Sequence, residues 1–290
     1  HQGFVGKHLV KLLEEEGMQV YGIDRESGVD IRNLPVVEHL ISKIKPDYLF
    51  HLAAAAFVPT SFADPTGVLG VNVVGTHNIL ESVRRHSPST KVHFCGSSEE
   101  YGKVSIDECP ITEKNELRPQ SVYGWTKMAG DYEAYVYNQT WGLHTVRTRA
   151  FNHTGPGRGV EYAESNFAKQ IVEIERGQRK TLRHGNLEAK RDYTDVRDMV
   201  KAYRLAIDLE PGIYNIASGE THTMQDVVDT LMQYSHLTKV QQELDPSRMR
   251  PSDVPLLLGD SSLFREATGW KPQISFGKTM AALLDYWREQ

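Results

Sequence analysis

The stretch Ser121-Val122-Tyr123-Gly124-Trp125-Thr126-Lys127 organises the chain, taken together with Gly96-Ser97-Ser98-Glu99-Glu100-Tyr101-Gly102 upstream. From Val122 to about Tyr137, apolar residues at Val122, Met128, Ala129, Tyr132 and Tyr135 recur at roughly helical spacing, which predicts a helix. Tyr123 and Lys127 then lie one turn apart on one face. A phenol ordinarily holds its proton to about pH 10. A nearby ammonium favours the phenolate and pulls that value down, so the pair is expected to exchange a proton near neutral pH. Ser97 follows the apolar run Val92-His93-Phe94-Cys95 and would offer a hydroxyl to the same reacting oxygen. Alone, Tyr-x-x-x-Lys is weak evidence, because any helix can carry a packed tyrosine and a solvated lysine at that spacing.

The segments before it supply context. Gly3-Phe4-Val5-Gly6 opens an amphipathic helix whose apolar face includes Val5, Leu9, Val10, Leu12 and Leu13. A strand is expected over Gln19-Val20-Tyr21-Gly22-Ile23, ending in Asp24. In a dinucleotide-binding βαβ unit a glycine-rich turn admits the pyrophosphate at a helix N-terminus, and an acid about twenty residues on accepts from the adenosine ribose. Gly3, Gly6 and Asp24 fit the last two glycines and that acid. The first strand and first glycine of such a unit would precede His1, so the chain reads as truncated at its N-terminus. Two glycines before a helix also describe a plain packing turn. Asp30 and Ile31 would hold an adenine. A helix is expected over 35–44, and a buried strand, Tyr48-Leu49-Phe50-His51-Leu52, closes on Ala53-Ala54-Ala55. Small residues there let a ligand approach the backbone. A long helix at about 66–86 carries Asn72, and a strand over 91–96 delivers Ser97. This alternation predicts an α/β fold with a parallel, doubly wound sheet.

Composition narrows the class. With 290 residues, 39% hydrophobic and 24% charged, the chain is long enough for a large core and two lobes. A formal charge of −5 and a pI near 6.2 argue against a nucleic-acid or anionic-membrane surface. Cys95 and Cys109 lack metal-ligand spacing and suit a reducing compartment. No signal peptide or apolar run of membrane-spanning length is evident. A cytoplasmic protein without a resident metal is the expectation.

Together, the partial glycine motif, His51-Leu52-Ala53-Ala54, Asn72-Val73-Val74-Gly75-Thr76, Ser97 to Gly102 and Tyr123-x-x-x-Lys127 closely resemble the extended short-chain dehydrogenase/reductase family, in its nucleotide-sugar branch. The resemblance runs along essentially the whole chain. It implies a Rossmann domain over 1–150, to which segments near 185–210 return, and a mostly nucleotide-sugar-binding lobe over 151–290. It implies a triad in which Tyr123 exchanges a proton with a sugar oxygen, Lys127 binds the nicotinamide ribose and Ser97 orients the oxygen. Gly3, Phe4, Val5, Gly6, Asp24, Arg25, Asp30, Ile31, Leu52, Ala53, Ala54 and Asn72 would line the cofactor with Tyr123 and Lys127. Ser98 and Glu99 would face the sugar. A homodimer through the helices at about 66–86 and 121–139 is implied as well.

Later blocks are bland on their own. Arg147-Thr148-Arg149-Ala150-Phe151-Asn152-His153-Thr154-Gly155-Pro156-Gly157 reads as a strand entering a turn. By resemblance, Asn152 reaches the substrate diphosphate, Lys169 lines the nucleotide pocket and Arg191 contacts the nucleotide. Arg250 and Asp253 would clamp diphosphate and ribose, in keeping with guanidinium–phosphate geometry. Asp195 and Asp198 read as capping and structural groups. The strand Ile213-Tyr214-Asn215-Ile216-Ala217 is expected to join the second lobe, and Gly269-Trp270-Lys271-Pro272 to pack the C-terminal lobe.

Two activities on GDP-linked sugars fit the branch best: reduction of GDP-4-keto-6-deoxy-mannose at C4 to GDP-rhamnose, and 4,6-dehydration of GDP-mannose; an epimerase of a UDP- or CDP-sugar would use the same triad without needing Glu99. Dehydration requires a further carboxylate, and Glu99 stands where dehydratases carry it. Against that, Asn152-His153-Thr154-Gly155-Pro156 resembles the reductase loop rather than an Asn-His-Glu-Ser-Pro pattern. Ser97 also stands where dehydratases usually carry threonine. Reduction is the favoured expectation. Asp24 would repel a 2′-phosphate and favours NAD(H), whereas Arg25 beside it would support NADP(H).

Overall fold

The computed structural model describes residues 1–249 and 254–290. Its first sheet runs Tyr48–His51, Lys91–Ser97, Thr145–Ala150, Gly212–Ile216, in that spatial order and parallel throughout. A parallel sheet needs cover on both faces, and the strand sequences show it. Val92 and Phe94 join a core with Val37, Ile41, Leu80 and Val83, under the helices Leu34–Ile44, Gly75–His86 and Val122–Trp141. Val146, Ala150 and Ile216 pack the opposite face with Met199, Tyr203 and Phe264, from the helices Val196–Ala206 and Ser262–Thr268. Helix Phe4–Glu15 joins that side through Leu9, Leu13 and Val200. The doubly wound α/β expectation is met.

Three local expectations are corrected. Residues 19–23 form no strand, because no neighbouring chain among the described residues pairs with them. The strand Gly212–Ile216 belongs to the first sheet, hydrogen-bonded to Thr145–Ala150, and not to the second lobe. Trp270 packs with Phe264, Met199 and Val146 beneath that same sheet and not in the C-terminal lobe.

The long helix over 66–86 forms as Pro65–Leu69, a wider turn at Gly70–Val74, and Gly75–His86. The helix carrying Tyr123 starts where Ser121 Oγ accepts from Gly124 N at 3.0 Å, a cap that stabilises such a start by about 1 kcal/mol. It runs on to Trp141, beyond the apolar periodicity.

A second lobe follows. Lys190–Asp195 lies between Leu256–Leu257 and Asn152–Thr154, with Thr221–Thr223 antiparallel to it. Helices Ala163–Glu175, Met224–Tyr234 and Phe276–Glu289 enclose Phe167, Ile171, Val227, Leu231 and Leu283. Asp195 caps the helix Val196–Ala206 through Arg197 N at 2.8 Å. Buried Asp198 accepts from Gln273 N and Ile274 N at 2.7 Å each. Both acids are structural, as the sequence indicates.

Candidate active site

The carboxyl ends of parallel strands are where open α/β sheets bind ligands, and Ser97 terminates one of them. Its side chain hydrogen-bonds the Tyr123 phenol. The two come together because the helix of Tyr123 packs tightly on the turn after Ser97. A Cβ at Gly124 would stand 2.4 Å from the Glu99 carbonyl oxygen, so only glycine admits that approach. Both Ser97 and Tyr123 are 9% exposed, accessible at an edge and otherwise enclosed. Ser98 is buried, Glu99 half-buried, and the Glu99 charge acts on the phenol.

The electrostatics correct one expectation. Burial is the largest influence on Tyr123 and pushes its phenol well above its ordinary value; the Ser97 hydrogen bond acts the other way. The groups raising it further include Cys95, Tyr162 and Glu99, and burial outweighs any opposing charge. The Lys127 ammonium instead stands 4.9 Å over the Phe94 ring. Burial lowers its pKa, opposed by Cys95, Glu100 and Asp131. Tyr123 is therefore a neutral acid in this structure rather than a phenolate held by its lysine.

What the site leaves unsatisfied bears on a dinucleotide. Lys127 is 5% exposed, and among the described residues its ammonium has no hydrogen-bond acceptor and no ion pair. An ammonium so placed calls for acceptors such as ribose hydroxyls. The helix Phe4–Glu15 begins at Gly3 with no side-chain cap, leaving first-turn N–H groups for an anion. Space above Gly3 is open, since a Cβ there would meet nothing within 4 Å. On the second lobe, Asn152 Oδ1 is buried without a partner among the described residues. The Lys127 ammonium and the open helix start fit a nicotinamide dinucleotide, and the Asn152 oxygen suits a ligand hydroxyl.

Other expected residues take different positions. Val5 packs into the core and Ile31 is buried against Gly75. Phe4 stacks on His153 with ring centroids 6.2 Å apart, beneath the Arg158 guanidinium at 5.0 Å. Arg158 was not singled out by sequence reasoning; it follows the Gly155–Gly157 turn directly and looks like turn chemistry. Asp24 is exhausted within its own chain, accepting from Gln2 N at 2.8 Å and Ser27 N at 3.0 Å, which hold its pKa at about 2. Arg25 is exposed. Asp30 is paired with Arg32 at 2.6 Å.

Asn72 acts as a brace. Its Oδ1 accepts from Ala55 N at 2.8 Å and its Nδ2 donates to Thr126 Oγ1 at 2.9 Å. It thereby ties the Leu52-Ala53-Ala54-Ala55 turn to the helix of Tyr123 and Lys127. Lys169 lies 5.4 Å from the Trp287 ring and 3.9 Å from Glu173, within the second lobe's own packing. Arg191 donates to the Val254 carbonyl at 2.6 Å. Arg250 and Asp253 lie outside the described residues.

Sequence reasoning also missed a buried charge cluster behind the site. Arg149 Nη2 donates to Asp131 Oδ2 at 2.6 Å, Arg147 Nη1 to Asp131 Oδ1 at 2.7 Å, and Arg149 Nε to Glu100 Oε2 at 3.1 Å. The available signal was period-two arginines on a buried strand and an acid four residues beyond Lys127.

Comparison with known proteins bears on this geometry. The family model described as GDP-mannose 4,6 dehydratase matches residues 27–283. A GDP-6-deoxy-D-mannose reductase of Pseudomonas aeruginosa is 30% identical across 99% of this chain and 95% of its own length. GDP-mannose 4,6 dehydratase 1 of Arabidopsis thaliana is 30% identical across 97% of this chain and 86% of its own. Among solved structures, RMD from Pseudomonas aeruginosa complexed with NADPH superposes with a TM-score of 0.91 at 27% identity, covering 99% of this chain and 96% of that one. UDP-glucose 4-epimerase from Thermus thermophilus in complex with NAD gives 0.87 at 28%, with the same coverage.

Proposed function

The chain belongs to the GDP-mannose 4,6 dehydratase family, within the nucleotide-sugar short-chain dehydrogenase/reductases, and we propose that it reduces the C4 keto group of GDP-4-keto-6-deoxy-D-mannose to give GDP-D-rhamnose. The coarser statement, a GDP-sugar reductase or dehydratase using a nicotinamide dinucleotide, is what both relatives have in common. The finer one is supported by the Asn152-His153-Thr154-Gly155-Pro156 loop, which resembles the reductase pattern, and by the reductase relative that matches along 95% of its own length; the buried, protonated Tyr123 phenol is consistent with it. Carbonyl reduction ends with an alkoxide that needs a proton, and a neutral phenol is the acid for it.

A bound nicotinamide supplies the hydride to C4. Tyr123 gives its proton to the C4 oxygen, and the Ser97 hydroxyl turns its single proton from the phenol to this oxygen to hold it in place. Lys127 binds the nicotinamide-ribose hydroxyls, and its positive charge stabilises the phenolate left when Tyr123 gives up its proton. Asn152 offers the N–H of its side-chain amide to the diphosphate, while Lys169, Arg191, Arg250 and Asp253 complete the nucleotide side. Gly3 and Gly6 flank the pyrophosphate, and Asp24 favours NAD(H) over NADP(H) by charge.

One observation favours a second reading. Glu99 sits close enough to act electrostatically on Tyr123, where a GDP-mannose 4,6-dehydratase would need a base for the C5 proton. We also propose a homodimer formed through the helix faces that leave Val74, Tyr132, Tyr135 and Val136 exposed, an apolar surface that a second copy would cover. The discriminating experiment supplies GDP-mannose alone, then GDP-4-keto-6-deoxy-mannose with NADH. NADH oxidation with the keto sugar and no ketone from GDP-mannose supports the reductase; ketone formation from GDP-mannose overturns it.

A further inference from the structure

Immediately behind Ser97 lies the charge cluster for which the chemistry above has no use. Glu100 is fully buried, and burying a carboxylate costs several kcal/mol unless it is paired and hydrogen-bonded. Here Glu100 Oε1 accepts from Ser97 N at 2.7 Å, and Oε2 accepts from Arg149 Nε at 3.1 Å. Room for it is made by Gly96, where a Cβ would stand 2.6 Å from Glu100 Oε1. Arg149 carries the contact onward to Asp131, four residues beyond Lys127 on the same helix as Tyr123.

Ser97 is held at its other end as well. Its Oγ accepts from Glu99 N at 3.2 Å, so its backbone and hydroxyl are fixed reciprocally by one short turn. With a backbone N–H filling an acceptor position on Oγ, the hydroxyl is aimed at the phenol side. A backbone acceptor would close such a turn equally well, so the carboxylate has a use beyond closing it.

We propose that Glu100 is a positioning residue, which grips the Ser97 N–H from inside the core, fixes the Ser97 hydroxyl against the Tyr123 phenol, and couples both to the catalytic helix through Arg149 and Asp131. The proposal rests on Ser97 and Tyr123 being the reacting pair. The test uses Glu100→Leu, Glu100→Gln, Ser97→Ala and the double variant Ser97→Ala/Glu100→Leu, assayed as GDP-sugar turnover and by hydrogen exchange of the Ser97 amide.

Glu100→Leu is expected to lower kcat about tenfold or more with KM within about twofold, the pattern of lost transition-state alignment. Glu100→Gln retains an oxygen for the Ser97 N–H and should stay within about threefold of wild type. The double variant should be no slower than Ser97→Ala alone, since Glu100 acts through that residue. Ser97 amide exchange should accelerate about tenfold or more in Glu100→Leu and not in Glu100→Gln. Wild-type kcat in Glu100→Leu, multiplicative losses in the double variant, a tenfold fall in Glu100→Gln, or unchanged Ser97 exchange in Glu100→Leu would each overturn the proposal. If Glu100→Leu does not fold, Glu100→Gln decides alone by the same thresholds. If wild type turns over no GDP-sugar, the functional reading fails while the exchange arm still decides the Ser97 contact.

Discussion

The Ser97–Tyr123–Lys127 corner and the Asp24–Asp30 corner both carry motif residues of a dinucleotide fold, yet they treat their polar groups in opposite ways. In the first, the groups are enclosed: Tyr123 is driven toward its neutral form, and Lys127 has no acceptor among the described residues. In the second, they are at the surface and already served, Asp24 by Gln2 and Ser27, Asp30 by Arg32. Enclosed groups change protonation state when their surroundings change, and that is what chemistry requires. Exposed, satisfied carboxylates are screened and can only bias which ligand binds. Catalysis should therefore fail steeply in the first corner and selectivity should drift gently in the second.

The largest effect expected is Tyr123→Phe. Removing the acid should lower turnover about 10²–10⁴-fold, with cofactor and GDP-sugar binding, measured by calorimetry, changed by no more than about threefold. Near-wild-type turnover would erase the contrast between the corners.

The next concerns pH, the buried histidines of the first sheet and His153 on the strand Asn152–Thr154. Burial holds His51 and His93 at about 3 and His153 at about 4, from 6.5. All three have folded pKa values below their unfolded ones. The stability they allow is thus complete above about pH 6.5 and is lost as pH falls from there to about 4 for His153 and about 3 for His51 and His93. Each withholds a proton that the unfolded chain takes up, a loss of roughly 2 kcal/mol apiece at pH 5. A melting temperature that does not fall between pH 6.5 and 5 would contradict this.

How much of this was legible from sequence varies with the physics involved. The doubly wound sheet follows from apolar runs such as Val92-His93-Phe94-Cys95 alternating with helical stretches. Tyr123 and Lys127 sit on one helix and Ser97 at a strand end because local periodicity fixes such positions. The sign of the Tyr123 shift was not legible. It depends on how completely tertiary packing removes water, and spacing along a helix does not report that. Gly212–Ile216 was misplaced because strand order is decided by long-range pairing with Thr145–Ala150. The cluster of Arg147, Arg149 and Asp131 was not legible, because it exists only where the strand bearing the arginines faces the helix bearing the acid. Asn72 reads as a ligand contact in sequence and acts as a brace, because its reach to Ala55 and Thr126 exists only in three dimensions.

Two smaller effects sharpen the comparison. Asp24→Asn should shift the ratio of kcat/KM for NADPH over NADH upward by about tenfold, the size of a charge contribution near a surface. No change in that ratio would remove Asp24 from cofactor choice. Glu99→Gln should leave keto-sugar reduction within about threefold of wild type, because a reductase needs no second base. A loss of 100-fold or so would instead move the chain to the dehydratase reading.

The most direct measurement is the protonation state of Tyr123 itself. Protein carrying 13C at the tyrosine ζ carbon, with Tyr123→Phe to assign the signal, can be titrated by NMR from pH 6 upward. The Tyr123 resonance should keep its phenol position past the ordinary tyrosine midpoint of about 10. A shift to the phenolate position near neutral pH would contradict a buried, neutral acid at the centre of this site.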